Sequence, residues 1–487
     1  MERGKTLFRR LTALAMVLCL VCLLSACQKK GDPAGPVKND DRKPAGISAD
    51  TDLILPYSRE EGVNPFSATS LMNEAIMPLI YDGLYRIDAS YEATPALVES
   101  SVVNGRTLML TMSSERRFSD GSAISADDVK YSFDLAKNSL YYGTLLRNID
   151  SAVAGGTTTI SFTLSKPNQY IASDLTFPVV KAGTADKKDS VPVGSGRFVY
   201  KHSDTGGVLE KSDQYKSERF RAEKIYLLNI PDQETLFNSL NIESVNAAVD
   251  DLSDGVLNRV TASVTQFPLN NLVYIGIKEN GALADASVRQ ALNAVLDRKT
   301  LISSGMSGYA VSSDIPLNPD WYGAKDLKKE QPMDRSKART LLGERLAEQP
   351  LKLVTLAGNA FKEQIATEVA KELKSAGVAC EIEALDAAVY RSAVSSGLYD
   401  LYVGEMRLTN DMDISVVLGD SQLSGSWDAV LSGASGCDAF VKAFYKQMPF
   451  LTIGFRTGML AYSRNMKEDI VSIPGDPYGN VTDWKMS

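Results

Sequence analysis

The chain has 487 residues, 44% hydrophobic and 23% charged, with 60 acidic side chains against 52 Lys and Arg and a single histidine. That length serves about three ordinary domains or two large lobes, and the formal charge of −8 argues against nucleic acid as a partner. With one histidine there is no cluster for a zinc site, and any Ser-His-Asp triad would have to use His202, in the polar stretch Lys201-His202-Ser203-Asp204 without a nucleophile elbow. Composition alone leaves a carboxylate-pair hydrolase open, since acids are plentiful.

Arg3, Lys5, Arg9 and Arg10 precede an apolar run from Leu11 to Ala26. The run is short for a membrane span and of the length of a secretory apolar segment. It closes in Leu24-Ser25-Ala26-Cys27, which resembles a bacterial lipobox. Residues 1–26 are therefore expected to be a lipoprotein signal peptide, with Cys27 lipidated as the mature N-terminus. Its removal takes four basic residues and one acidic one, leaving 461 residues with a net charge of −11. Residues 27–46, charged and rich in Pro and Gly, read as a flexible tether. No later run is long and apolar enough to span a bilayer, so the rest is expected outside the cytoplasm, at the cell surface or in the periplasm. Cys19 and Cys22 leave with the leader, and only Cys380 and Cys437 remain beyond Cys27. Sequence cannot say whether their Cα atoms lie within bridging distance. The apolar alternation around Cys380 favours a buried free thiol.

From there strands and helices alternate. Leu53, Leu55 and Tyr57 mark a strand, Asn64-Pro65 a turn, and Leu71 to Tyr81 a helix that leads into a hairpin. Leu108, Leu110 and Met112 mark another strand. Arg116 to Asn138 then reads as a strand end, a turn at Ser119-Asp120-Gly121-Ser122, and a helix. Ser125 and Asp128 have capping-box spacing, and Val129, Phe133 and Ala136 form one buried face. Thr157 to Leu164 is a strand. Pro192 to Val199, with its Gly194-Ser195-Gly196, is a turn opening a strand and not a phosphate loop, since no helix follows. Lys224 to Ile230 is a strand, and Asp232 caps a helix through Leu240. Asn271 to Lys278 is a strand, and a helix from Ser287 buries Val288, Ala291, Leu292, Val295 and Leu296. Arg289 and Asp297 are expected to make structural ion pairs. A β-α-β-α-β unit follows: a central strand Leu351 to Leu356, a helix from Phe361 ended by Gly377, and a strand Val378 to Ala384. Asp386 then caps a helix that stops at Gly397, and Tyr399 to Glu405 is the third strand. In such a unit the loops after the strands carry binding potential.

Phe118, Asp120, Gly121, Ala126, Asp128, Val129 and Ser132 stand where the family-five extracellular solute-binding proteins carry "F-x-D-G-x-x-x-x-A-x-D-V-x-x-S". These are the peptide- and nickel-binding subunits of ABC importers. Tyr81 to Ser100, Pro192 to Val199 and Val288 to Arg298 also resemble family wording, and the likeness runs from about residue 50 to 465. It implies an α/β, two-lobed periplasmic-binding-protein (Venus-flytrap) fold with an enlarged first lobe and mixed sheets flanked by helices. Residues 47–266 with 451–487 would form the first lobe and 267–450 the second, trimmed between Asp413 and Pro449. The chain would cross between lobes near Phe267 and near Met448. The resemblance further implies a monomer that is not an enzyme. It would be held on the membrane through its N-terminal lipid, capture a peptide between its lobes and deliver it to ABC permease subunits, without a cofactor or a resident metal. A nickel chelate, haem, a sugar or another small solute is the alternative ligand.

For the site, Tyr399-Asp400 matches the start of the family strand that leads to an ammonium-binding aspartate. The family's tryptophan is replaced by Met406 and its "D-x-x-D-P" by Asn410-Asp411-Met412-Asp413-Ile414. Asp413 is the favoured acid, with Glu405 and Asp411 beside it, because a carboxylate suits the three donors of an ammonium. Arg407 and Arg456 are candidates for a ligand carboxylate, which a guanidinium grips with two parallel hydrogen bonds. Tyr322, Tyr402 and Trp427 are candidates for an aromatic wall.

Overall fold

The computed structural model describes residues 47–48, 52–203, 206–215, 218–328, 330–419, 421–466 and 469–486. The expected signal peptide, Cys27 and the tether lie outside them. No helix among the described residues is long and apolar enough to cross a membrane.

Three sheets carry the architecture. In the first, Ile54–Tyr57 lies parallel to Lys224–Asn229, which pairs antiparallel with Gly206–Lys211 and through it with Phe198–Ser203. The second is antiparallel, in the order Val98–Asn104, Thr107–Met112, Thr159–Leu164, Ile149–Ala154. Its inward row, Leu108, Leu110, Ile160, Phe162 and Leu164, faces the helix Ala126–Asn138 in one apolar cluster. That helix is held as its sequence requires. The Ser125 hydroxyl accepts from the Asp128 N–H, and the Asp128 carboxylate accepts from the Ser125 N–H at 2.9 Å. Phe133 meets Phe162 and Phe177 edge-on, with ring centroids 5.4 and 6.1 Å away. The other Asp128 oxygen accepts from the Ala182 N–H, and Ser132 exchanges hydrogen bonds with Val180. The polar signature residues therefore fasten the helix to the segment behind it.

The third sheet has seven strands: Ala247–Asp250, Phe450–Tyr462, Ser263–Ile277, Leu401–Arg407, Leu351–Leu356 and Cys380–Leu385 in that order, with Ala310–Ser312 paired to Phe450–Tyr462. Leu351–Leu356 is central and parallel to both neighbours, so the expected β-α-β-α-β unit is present, with helices Ala360–Ser375 and Ala387–Ser395 as its crossovers. One strand is longer than its sequence suggests. Ser263–Ile277 begins eight residues before Asn271 and runs through Pro268, where the register to Phe450–Tyr462 shifts. A bulge there accommodates a residue without an N–H to give the ladder.

Two smaller expectations change. Arg289 makes its expected structural ion pair, with Glu279 at 3.3 Å, and is buried against the carbonyls of Leu283, Ala284, Gln447 and Met448, whereas Asp297 caps the helix Arg298–Gly305 instead of pairing with a cation among the described residues. Cys437, not Cys380, is the buried thiol, and both are free. Gly194 and Gly196 pack on the end of the helix Leu71–Ile80. A Cβ at either would come within 2.4 Å of Tyr81 or Ile80 atoms, so close approach and not phosphate binding explains them. The C-terminal residues Tyr478, Val481 and Trp484 share an apolar cluster with Leu55, Tyr57 and Ile76 near the start of the described chain.

Candidate functional site

A cavity of about 650 Å³ opens where segments distant in sequence meet. Its wall comprises the helix Leu71–Ile80, residues 82–91, 140–145, 267–270 and 407–410, and the C-terminal residues 473–479. The volume lies within the roughly 300–1,000 Å³ of small-ligand sites. Gly83 sits in this wall because a Cβ there would lie 2.7 Å from the Thr176 carbonyl oxygen.

Most charges in the wall are already paired. Asp82, buried, accepts from Arg86, from Arg116 outside the wall and from the Tyr215 hydroxyl. Arg197 donates to Asp476 at 2.7 Å and to the Gly479 carbonyl at 2.8 Å, which closes the C-terminal segment over this side. Arg407, Glu74 and Asp251 remain, with no ion pair within 4.0 Å among the described residues.

Arg407 is the last residue of the strand Leu401–Arg407, which Ser263–Ile277 holds in register. Its guanidinium lies over the Tyr141 ring, 4.5 Å from the centroid, and donates to the Tyr141 hydroxyl at 2.8 Å. The side chain touches solvent yet is surrounded by protein, as one standing in a cleft is. Burial opposes its charge, but Tyr141, Glu74 and Asp251 more than offset this and raise its pKa. The Glu74 carboxyl, in the first turn of its helix, accepts no hydrogen bond among the described residues. Burial pushes its carboxyl up to about 7, with Arg407 pulling down and Asp251 and Glu61 adding to the rise. The helix itself is well anchored: Glu61 accepts from the Thr69 and Ser70 N–H groups, and Asn73 donates to the Ser58 and Gly62 carbonyls. Glu74 is thus a half-buried carboxyl on an anchored helix, within electrostatic reach of the Arg407 guanidinium.

Of the five ligand-binding residues expected from sequence, only Arg407 lines this cavity. Glu405 and Arg456 pair with each other at 2.7 Å, and Glu405 also accepts from Asn271 while Lys362 lies 3.3 Å away. Burial would raise the Glu405 pKa, but Arg456, Lys362 and Asn271 outweigh it and hold the carboxyl low. The pair reaches across the intervening strand Ser263–Ile277 and ties together the two strands that flank it in the seven-stranded sheet.

Asp411 and Asp413 are buried in a polar knot joining residues 409–415 to residues 147–174. Asp413 accepts from the Asn148 side chain at 2.8 Å and from the Ser415 N–H and hydroxyl, with Arg147 3.7 Å and Lys166 4.0 Å away. These contacts outweigh burial and lower its pKa. Asp411 accepts from Asn168 and Thr409, and burial with the Asp413 charge raises its pKa. Beside them, burial and then Asp411 push Asp174 well above the carboxylate range. Every polar contact of Asp413 is therefore to protein, and a ligand ammonium would have to displace Asn148 or Ser415.

The expected aromatic wall is also elsewhere. Trp427 is fully buried against Trp321 and Phe440, Tyr322 packs on Tyr170 and Trp321, and Tyr402 packs on Tyr274. Tyr81, Tyr85, Tyr91, Tyr141, Tyr142 and Phe267 line the cavity instead. His202 is exposed on the strand Phe198–Ser203, and no cluster of three or more His, Cys, Asp or Glu among the described residues could hold a metal ion.

Comparison with known proteins places this arrangement. Residues 92–418 match the family described as "Bacterial extracellular solute-binding proteins, family 5 Middle". The chain is 26% identical over 430 residues to the oligopeptide-binding protein AppA of Bacillus subtilis, covering 78% of this chain and 76% of that protein. It is 26% identical over 405 residues to the glutathione-binding protein GsiB of Pectobacterium atrosepticum, covering 74% and 75%. Among solved structures, the ABC transporter substrate-binding protein CtaP of Listeria monocytogenes matches with a TM-score of 0.68 at 20% identity, over 89% of this chain and 99% of that one. That likeness establishes the α/β, two-lobed solute-binding fold. The matched residues take in the signature helix, the crossover unit and the strand that delivers Arg407, and the chain belongs to the bacterial extracellular solute-binding proteins of family 5.

Proposed function

We propose that this protein is the substrate-binding subunit of an ABC importer, that it captures short peptides between its lobes, and that it returns them chemically unchanged. The carrying observation is the cavity itself. It holds a guanidinium and two carboxyl groups without ionic partners among the described residues, set among tyrosines, and its wall combines Arg407 with the helix Leu71–Ile80. A zwitterionic ligand with an apolar body complements such a lining. AppA and GsiB bear names that specify an oligopeptide and glutathione, and both ligands are peptidic. The volume favours a peptide of few residues over a long extended one.

In this reading residues 47–266 and 451–487 form one lobe and 267–450 the other. Closure bends the paired strands Ser263–Ile277 and Phe450–Tyr462, whose register breaks at Pro268 and Val273 interrupt a rigid ladder. Arg407 meets the ligand carboxylate, while Asp413, Asp411, Glu405 and Arg456 hold the loop and strands around it. The N-terminal leader exports the chain and Cys27 carries the lipid that keeps the receptor beside its permease.

Mass spectrometry of protein purified from its native host, denatured to release bound solute, is expected to find peptides of few residues at close to one per chain. Incubation with a tripeptide pool should leave every peptide intact. Turnover of peptide in molar excess over protein would overturn the receptor reading, and a non-peptidic co-purified solute would overturn the peptide assignment. For the anchor, Cys27→Ala is expected to yield unprocessed or released protein in cell fractionation. A variant still processed and recovered with detergent would refute lipidation at Cys27.

A further inference from the structure

Glu74 stands apart from the other acids of the cavity wall and of the polar knot, since even Asp251, which has no ion pair among the described residues, accepts from the Ser253 N–H. Asp82, Glu405, Asp411 and Asp413 are each consumed by donors within the fold. Glu74 accepts no hydrogen bond from the described residues, yet it occupies the wall of the cavity on a helix pinned at its start. An unpaired carboxyl there is a cost that folding does not recover, since a desolvated charge needs a partner. Resting on the peptide reading above, we propose that Glu74 is the group that receives the ligand's ammonium, opposite Arg407, and that capture displaces a proton from its carboxyl to solvent.

The proton balance is simple. The protonated carboxyl of Glu74 gives up its proton to water as the ammonium, which keeps all three of its own, docks on the resulting carboxylate. A carboxylate is matched to this cation, while a carboxylic acid offers it a poorer acceptor and no charge. The groups facing Glu74 are Arg407 from the strand Leu401–Arg407, Asp251, Glu61 from the preceding loop, and Tyr142. The Tyr142 hydroxyl is held well above its usual range by burial, so it stays neutral throughout. With the free carboxyl half-ionised at about pH 7, and a peptide's α-ammonium itself about half deprotonated near pH 8, affinity should rise about fourfold between pH 6 and pH 8 and fall above.

The test is calorimetry of a random tripeptide pool with free termini, and of the same pool N-acetylated, at pH 6, 7 and 8. Wild-type protein is expected to bind the free pool about fourfold more tightly at pH 8 than at pH 6, and to bind the acetylated pool weakly with no such slope. Glu74→Gln should bind the free pool more weakly at pH 8 and lose the rise between pH 6 and pH 8. It should retain its unfolding midpoint, since no hydrogen bond is lost. Asp251→Asn should lower the midpoint of the pH profile, because Asp251 raises the Glu74 pKa, a shift that a merely structural Glu74 would not give. Tripeptide binding that is flat across pH, or equally weakened by acetylation in wild type and Glu74→Gln, overturns the assignment and leaves the peptide reading standing. No tripeptide binding by folded wild type at any pH overturns both.

Discussion

Asp82→Asn is expected to destabilise the protein by about 3 kcal/mol, lowering its urea midpoint without changing the slope of the transition. The Asp82 carboxylate is 1% exposed and sits between two guanidiniums, Arg86 and Arg116, each bonded to a different oxygen. The Tyr215 hydroxyl, which accepts from Arg116 and Arg86, donates to the same carboxylate at 2.8 Å. An asparagine keeps one acceptor and loses the charge, leaving two cations facing each other across an amide. Breaking a buried pair costs roughly 3–5 kcal/mol. Arg86 and Arg116 are 48% and 24% exposed, so water screens part of the repulsion and the lower end applies. A midpoint unchanged within error would show that the two arginines rehydrate fully and that this cluster contributes little.

The same cluster shows what a sequence can and cannot reveal about this fold. Ser125 and Asp128 announce a helix start because both partners lie within four positions, and the structure contains that capping box. The parallel unit from Leu351 to Arg407 was legible for a similar reason, since each strand and helix carries its own apolar period and its own stop at Gly377 or Gly397. Pro268 hid the first half of the strand Ser263–Ile277, because a proline argues against a central strand unless a bulge takes it in. Arg407 could be nominated from its place at the end of a strand of the α/β lobe. Glu74 could not, because a glutamate in the first turn of an amphipathic helix looks like any solvated acid until Arg407 is brought opposite it. Conversely, Asp413 looked free because its partners Arg147, Asn148 and Lys166 come from a segment about 250 residues earlier. Which acids are consumed and which are left over is a property of the packed chain.

Arg407→Gln is expected to weaken binding of the free-acid tripeptide pool by at least 30-fold, corresponding to roughly 2 kcal/mol or more, while a C-amidated pool loses far less. The guanidinium is held over Tyr141 by ring contact and by a hydrogen bond to its hydroxyl, which fixes the fork that a carboxylate would meet. Without it the ligand's carboxylate enters the cleft without a counter-charge, and its lost hydration is not replaced. Arg407→Lys should recover only part of the loss, since a flexible point charge offers no parallel pair of donors. The two charges of the cavity are also coupled. Arg407 lowers the Glu74 pKa and Glu74 raises that of Arg407, so removing the arginine should shift the Glu74 midpoint upward from about 7. The ammonium contact then weakens at neutral pH as well, and the loss measured at pH 7 should exceed that at pH 9. Equal losses of free-acid and amidated peptides at both pH values would place the carboxylate contact on another residue, with Arg197 and Arg86 the remaining guanidiniums of the wall.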